Sequence, residues 1–181
     1  MPTDHTLPSP VPVPVLQGGL VRLRPAVVAD RDAVAAILAQ PSARRCWNPG
    51  EPLALADKWL EAGEETGVFA IEAGDRLVGS IQFAEEPDPN YHSAGIDVFL
   101  GEEAQDRGLG TDAIRTLARW LLEVRGHVRL TIDPAVANER AIHVYARVGF
   151  RPVGVMRNYE TGPDGTRHDN LLMDLLAGEL R

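Results

Sequence analysis

Between Ala94 and Gly126 the sequence passes directly from a strand through a glycine turn into a helix, and this contiguous unit limits the fold more than any other stretch. Ala94-Gly95-Ile96-Asp97-Val98-Phe99-Leu100 alternates in the manner of a strand with two unlike faces. After Gln105-Asp106-Arg107-Gly108-Leu109-Gly110-Thr111, apolar residues recur at helical spacing (Ile114, Leu117, Ala118, Leu121, Leu122) as far as Gly126, a residue suited to a helix C-terminus. The glycine turn therefore supplies the first turn of that helix. Leading N–H groups there have no intrahelical partner, the helix dipole favours negative charge, and the two glycines let phosphate oxygens approach without meeting a Cβ. That chemistry suits a pyrophosphate. The same glycines also make a plain tight turn, and the three-glycine dinucleotide pattern and the Lys-Ser/Thr ending of a triphosphate loop are both missing.

The rest of the chain reads as strands and helices in one series. Residues 1–19 hold five prolines and close on Gly18-Gly19, which predicts an extended N-terminal arm ahead of a domain over 20–181. A strand through Val21-Arg22-Leu23-Arg24 leads to a helix that Asp30 is placed to cap, with Val34, Ile37 and Leu38 on one face. A helical stretch around Leu55 to Glu64 precedes a hairpin turning at Gly74-Asp75. Downstream come a strand at Val128 to Ile132, an Asn138-capped helix ended by Gly149, and strands at Phe150 to Met156 and Leu171 to Leu175. The order predicts a mixed α/β (α+β) fold, a sheet flanked by helices.

Composition narrows the function. The 181 residues are 44% hydrophobic and 24% charged, which is ordinary for a globular chain with a sizeable core. No apolar run approaches the roughly 20 residues that span a bilayer, and the first residues lack the basic and apolar regions of a signal peptide, so a cytoplasmic protein is expected. Cys46 is the only cysteine, which excludes an internal disulfide and a cysteine-built zinc site. His92, His127 and His143 show no ligand spacing, so no metal is expected. A formal net charge of −8 disfavours nucleic acid and anionic membranes as partners and welcomes a cation.

Gln105-x-x-Gly108-x-Gly110, followed in order by Asn138-Glu139-Arg140-Ala141-Ile142-His143-Val144-Tyr145-Ala146-Arg147-Val148-Gly149-Phe150, resembles the paired motifs of the GCN5-related N-acetyltransferase (GNAT) family. The resemblance runs from about Leu20 to Leu176. It implies a mostly antiparallel sheet of six or seven strands with about four helices, and acetyl-CoA held where two parallel strands splay apart. The cofactor contacts it implies are Phe99, Leu100, Gln105, Asp106, Arg107, Gly108, Leu109, Gly110, Thr111, Asn138 and Tyr145. Tyr145 is implied as the acid that protonates the departing thiolate; as a residue it equally fits a packed helix face.

Within the family the chain is most similar to aminoglycoside 6′-N-acetyltransferases, through Gly95-Ile96-Asp97 and Thr131-Ile132-Asp133-Pro134. The similarity implies a small polycationic amine as acceptor and antibiotic resistance as the outcome, with Asp97 as base or amine-orienting group and Asp133 as anchor. Asp97 alternatively faces solvent, and Asp133 before Pro134 alternatively forms an Asx turn. Trp47 is placed to pack on a sugar ring or in the core, and Glu85, with Glu86 and Asp88, to extend a negative funnel. The polar stretch Arg157 to Asp169 departs from the antibiotic-modifying pattern, and such hairpins also occur in family members that modify proteins. A protein N-terminus, a polyamine or a siderophore lysine derivative is therefore an alternative acceptor, and a non-catalytic acyl-CoA sensor an alternative class. The chain is expected as a monomer or homodimer.

Overall fold

The computed structural model describes residues 13–46, 50–61, 63–162 and 164–181. Eight strands form one sheet: β1 (Leu16–Gln17), β2 (Arg22–Pro25), β3 (Thr66–Ala73), β4 (Arg76–Glu85), β5 (Ser93–Leu100), β6 (Arg129–Ile132), β7 (Arg151–Thr161) and β8 (Arg167–Leu176). Their spatial order is β1-β2-β3-β4-β5-β6-β8-β7, and every neighbouring pair is antiparallel except β5 with β6. The helices are α1 (Arg31–Leu38), α2 (Pro41–Arg44), α3 (Pro52–Leu60), α4 (Leu109–Glu123) and α5 (Glu139–Val148). The sequence had pointed to one strand and one helix fewer. The additions are β1, which comes out of the proline-rich stretch to pair with β2, and the single turn α2, with Pro41 at a helix N-terminus where its missing N–H costs nothing.

Strand alternation divides the core between the two faces of the sheet. From β3, Phe69 and Ile71 join Ile81, Phe83 and Ile96 under Ile114, Leu117, Ala118 and Leu121 of α4. On the other face Val68 and Phe99 pack with Val34, Ile37 and Leu38 of α1 and with Ala56 and Trp59 of α3. Asp97, two residues before Phe99, shares this second face and stands opposite Gln82 of β4.

Two local details differ from the expected pattern. Asp30 does precede α1, but its carboxylate does not cap that helix; the Arg24 guanidinium grips it through two 2.7 Å bonds, and the Val27 N–H donates to it at 2.9 Å. In β7 the register passes from Met156↔Asn170 to Glu160↔His168, so the strand carries two residues more than β8 across that span. Asn158 takes up the excess at φ +51, a left-handed conformation that asparagine tolerates better than most residues. Its N–H donates to Asp169 at 2.8 Å, and the Arg167 guanidinium donates to the Asn158 and Tyr159 carbonyls.

A carboxylate in the first turn of α4 holds the N-terminal strands to that helix. Asp112 accepts from the N–H groups of Gly19 (3.2 Å), Leu20 (2.7 Å) and Val21 (3.0 Å). Asp112→Ala should cost about 2 kcal/mol and lower the melting temperature by roughly 5 °C; an unchanged melting curve would show that the clasp contributes nothing.

Candidate active site

The parallel pairing of β5 and β6 is short. It holds Ser93↔Arg129, Ala94↔Leu130 and Gly95↔Thr131, after which β6 ends at Ile132 while β5 continues to Leu100. Past the last pair a cavity of about 520 Å³ opens. Ile96 to Leu100 and the first turns of α4 form one wall, and Ile132 to Ala135 with the inner face of α5 form the other.

One end of the cavity is shaped for phosphate. Gly108 caps α4 at φ +77, and Asp106 before it also takes a left-handed conformation, φ +58. A Cβ on Gly110 would stand 3.2 Å from Leu100 Cδ1, so a side chain there would crowd the cavity wall beside the helix N-terminus. Gln105 ties the surroundings together: its amide donates to the Leu100 carbonyl (3.1 Å) and the Ser42 hydroxyl (3.2 Å), and its carbonyl accepts from Arg140 at 2.6 Å. Arg140 also pairs with Asp106 at 3.1 Å, which sets a guanidinium from the first turn of α5 beside the glycine turn. The leading N–H groups of a helix, Gly110 in the wall beside them and a neighbouring guanidinium fit a pyrophosphate. Asn138 caps α5 by accepting from the Ala141 N–H at 3.1 Å, and its amide reaches Cys46 Sγ at 3.6 Å.

The middle of the cavity gathers the groups that can move protons. Asp97 opens onto it, and its carboxyl is raised above the usual carboxylate range by burial, partly offset by the Gln82 amide donating at 3.0 Å. Asp133 stands across the cleft, just past the end of β6, and its carboxyl is raised by burial first, with the charges of Asp97 and Glu160 adding to it. Tyr145 projects from α5, and burial, then the charges of Asp97, Cys46 and Asp133, hold its phenol well above the ordinary value. A phenol so held stays protonated at neutral pH and can donate.

Of the residues the sequence singled out, Asp97, Phe99, Leu100, Gln105, Gly110, Asp133, Asn138 and Tyr145 line this one cavity. The Phe99 ring also packs edge-on against Trp59 (centroids 4.8 Å). Leu109 and Thr111 are buried beneath the turn, Arg107 points outward to the Glu103 carbonyl, and Asp106 pairs with Arg140; none of these, nor Gly108, is among the lining residues. Trp47 lies outside the described residues.

Glu85 departs most from its expected place. It is not in the cavity: an Arg125 fork (2.9 and 2.8 Å) and His127 (2.8 Å) hold it, and although burial opposes them, together they keep its carboxyl below the ordinary range. This cluster also brings His92 onto His127, ring centroids 4.3 Å apart. The acidic partner of Asp133 is instead Glu160, delivered by the β7 slip. Sequence reasoning also missed Ser42, Arg45, Arg140 and Asn170 as lining residues; only Arg140, inside the Asn-capped helix motif, lay within a segment already singled out.

A family profile described as an acetyltransferase (GNAT) domain matches residues 21–151. The aminoglycoside N(6′)-acetyltransferase type 1 of Klebsiella pneumoniae is 31% identical over 117 residues, 64% of this chain and 48% of that protein. The chain thus spans about half the length of that relative. A kanamycin resistance protein of Rhizobium radiobacter is 37% identical over 82 residues, 45% of this chain and 70% of that one. Among solved structures, Mycobacterium smegmatis RimJ in complex with CoA-disulfide superposes with a TM-score of 0.79 at 23% identity, covering 93% of this chain and 88% of that one.

Proposed function

Because the chain belongs to the GNAT acetyltransferase domain family, we propose that it moves the acetyl group of acetyl-CoA to a primary amine, and that the acceptor is an aminoglycoside modified at its 6′-amine. The observation that carries this reading is the meeting of Asp97 and Asp133 in the cavity that also holds Tyr145 and the α4 N-terminus. No ion pair among the described residues neutralises either carboxylate. A cationic acceptor meets that deficit, whereas a neutral or acidic one would aggravate it. The similarity to an aminoglycoside acetyltransferase and a kanamycin resistance protein supports the same choice.

Acetyl-CoA, when bound, supplies an activated thioester. The first turn of α4 would hold its pyrophosphate, with Gln105 and Arg140 steadying that end of the cleft. An ammonium arriving from solvent is not nucleophilic, and Asp97 would orient it and take its proton. The Tyr145 hydroxyl would then donate to the departing sulfur. Acetylation removes one charge from the antibiotic, which is the basis for a resistance role.

Thiol release from acetyl-CoA with kanamycin or tobramycin tests the reading directly. Turnover should disappear with derivatives that lack the 6′-amine. Binding of acetyl-CoA without turnover on any amine would convert the reading to an acyl-CoA sensor, and turnover confined to peptide N-termini would sink the aminoglycoside assignment. In the active enzyme Tyr145→Phe should lower kcat by about 10- to 1000-fold, whereas an unchanged kcat would remove Tyr145 from the proton path.

A further inference from the structure

The cavity has a further border that the reacting groups do not account for. Ser42, Ala43, Arg45 and Cys46, in α2 and just past it, line the space they share with Asp97 and Tyr145. The charge of Cys46 is near enough to Tyr145 to help raise its phenol. The core does not hold this border in place. Ala43 is the buried residue of α2, and it belongs to neither of the two apolar clusters. A helix of four residues does not sustain itself in water either, because a first turn fixes several dihedrals for a single internal bond.

Polar bonds from the stretch between β5 and α4 take the place of packing. Gln40 stands at the N-cap of α2 but makes no side-chain capping bond, and Pro41 has no N–H to satisfy. The next N–H, that of Ser42, donates to Glu102 Oε1 at 2.8 Å. In return the Glu102 N–H donates to Gln40 Oε1 at 2.7 Å. This is the reciprocity of a capping box, split between two segments 60 and 62 positions apart. Glu102 opens the short turn Glu102–Ala104, and Gln105, which follows it, adds its own bond to the Ser42 hydroxyl at 3.2 Å. Glu102 itself is not among the residues that line the cavity. We propose that Glu102 is a positioning residue: it caps α2 from outside and so sets the border beside the reacting groups from the same stretch that enters the glycine turn. A pyrophosphate that steadies the turn would steady Glu102 and Gln105, and through them α2 and Cys46. The inference rests on the acetyltransferase reading but not on which amine is the acceptor.

Glu102→Ala removes the cap, and Glu102→Gln keeps an oxygen that can accept from Ser42. Cys46, the only cysteine, follows α2 without any turnover through its alkylation by iodoacetamide, read by mass spectrometry with and without desulfo-CoA, which carries no thiol. Burial raises the Cys46 thiol, so freeing α2 should lower it and speed alkylation about fivefold in Glu102→Ala, while Glu102→Gln stays within about twofold of wild type. Desulfo-CoA should slow the reaction more in wild type and Glu102→Gln than in Glu102→Ala. With an amine that wild type acetylates, Glu102→Ala should raise the amine KM about 5- to 10-fold and leave kcat within about threefold, and Glu102→Gln should restore the KM. An alanine variant that keeps the wild-type alkylation rate or the wild-type amine KM overturns the positioning role, as does a glutamine variant that behaves like alanine. Alkylation that responds as expected in a chain that acetylates no amine would uphold the cap and reject the transfer reading instead.

Discussion

Asp97→Asn should reduce kcat by about 100- to 1000-fold, the largest catalytic effect expected of any single change in the cleft. Asparagine keeps the shape of the side chain and can still accept from Gln82, so the loss isolates proton removal from positioning. The pH profile offers an independent check. A general base works only when ionised, so kcat/KM of the wild type should rise with pH through the Asp97 pKa. Burial moves that pKa upward, which places the acidic limb above the ordinary carboxylate value of about 4. In the variant the limb should vanish. Activity within threefold of wild type would transfer the role to Asp133 or to a water.

The largest structural loss is expected at Phe83. Its ring is fully buried between Phe69 (centroids 6.2 Å) and Trp120 (5.5 Å, edge to face), and its backbone pairs with Ile96, the residue before Asp97. Phe83→Ala removes those contacts from a site bounded by two large aromatic residues that can collapse only in part. About 3–5 kcal/mol of stability should go, a large part of a typical domain's total, with a melting temperature lower by on the order of 10 °C. Urea unfolding measures it; a loss below about 1 kcal/mol would mean that the neighbouring rings refill the space.

The sheet could be read ahead of the structure because its information is local. Alternation from Ala94 to Leu100, the glycines at 74, 126 and 149, and the Asn138 cap each act within a few residues, and each stands where it was expected. Asp97 and Asp133, 36 positions apart, were foreseeable as sharing one cleft because the resemblance puts them on the two strands that splay apart, and the Gly95↔Thr131 pair sets each of them two residues past the last pairing. What escaped depends on partners distant in sequence. Glu85 sits in an acidic run that suggests a funnel, but Arg125 and His127, some 40 residues on, come round the end of α4 and take it. Asp30 occupies a capping position, and Arg24 claims its carboxylate from the preceding strand. Glu160 reaches the cleft only through a register slip, and nothing in Arg157-Asn158-Tyr159-Glu160 announces one.

That slip also bears on how such a protein can change over generations. β7 lies at the border of the sheet and pairs only with β8, so the strand carrying Glu160 shares no backbone bond with the one carrying Asp97. Deleting two residues near Asn158 would restore regular pairing and withdraw Glu160, while α4, the glycine turn and the β5–β6 fork stayed as they are. The edge of the cavity that Glu160 lines and the β5–β6 fork that opens it are thereby carried on separate pieces of the fold. A two-codon edit at one margin of the sheet would thus reshape one side of the cavity and leave the fork and the glycine turn untouched.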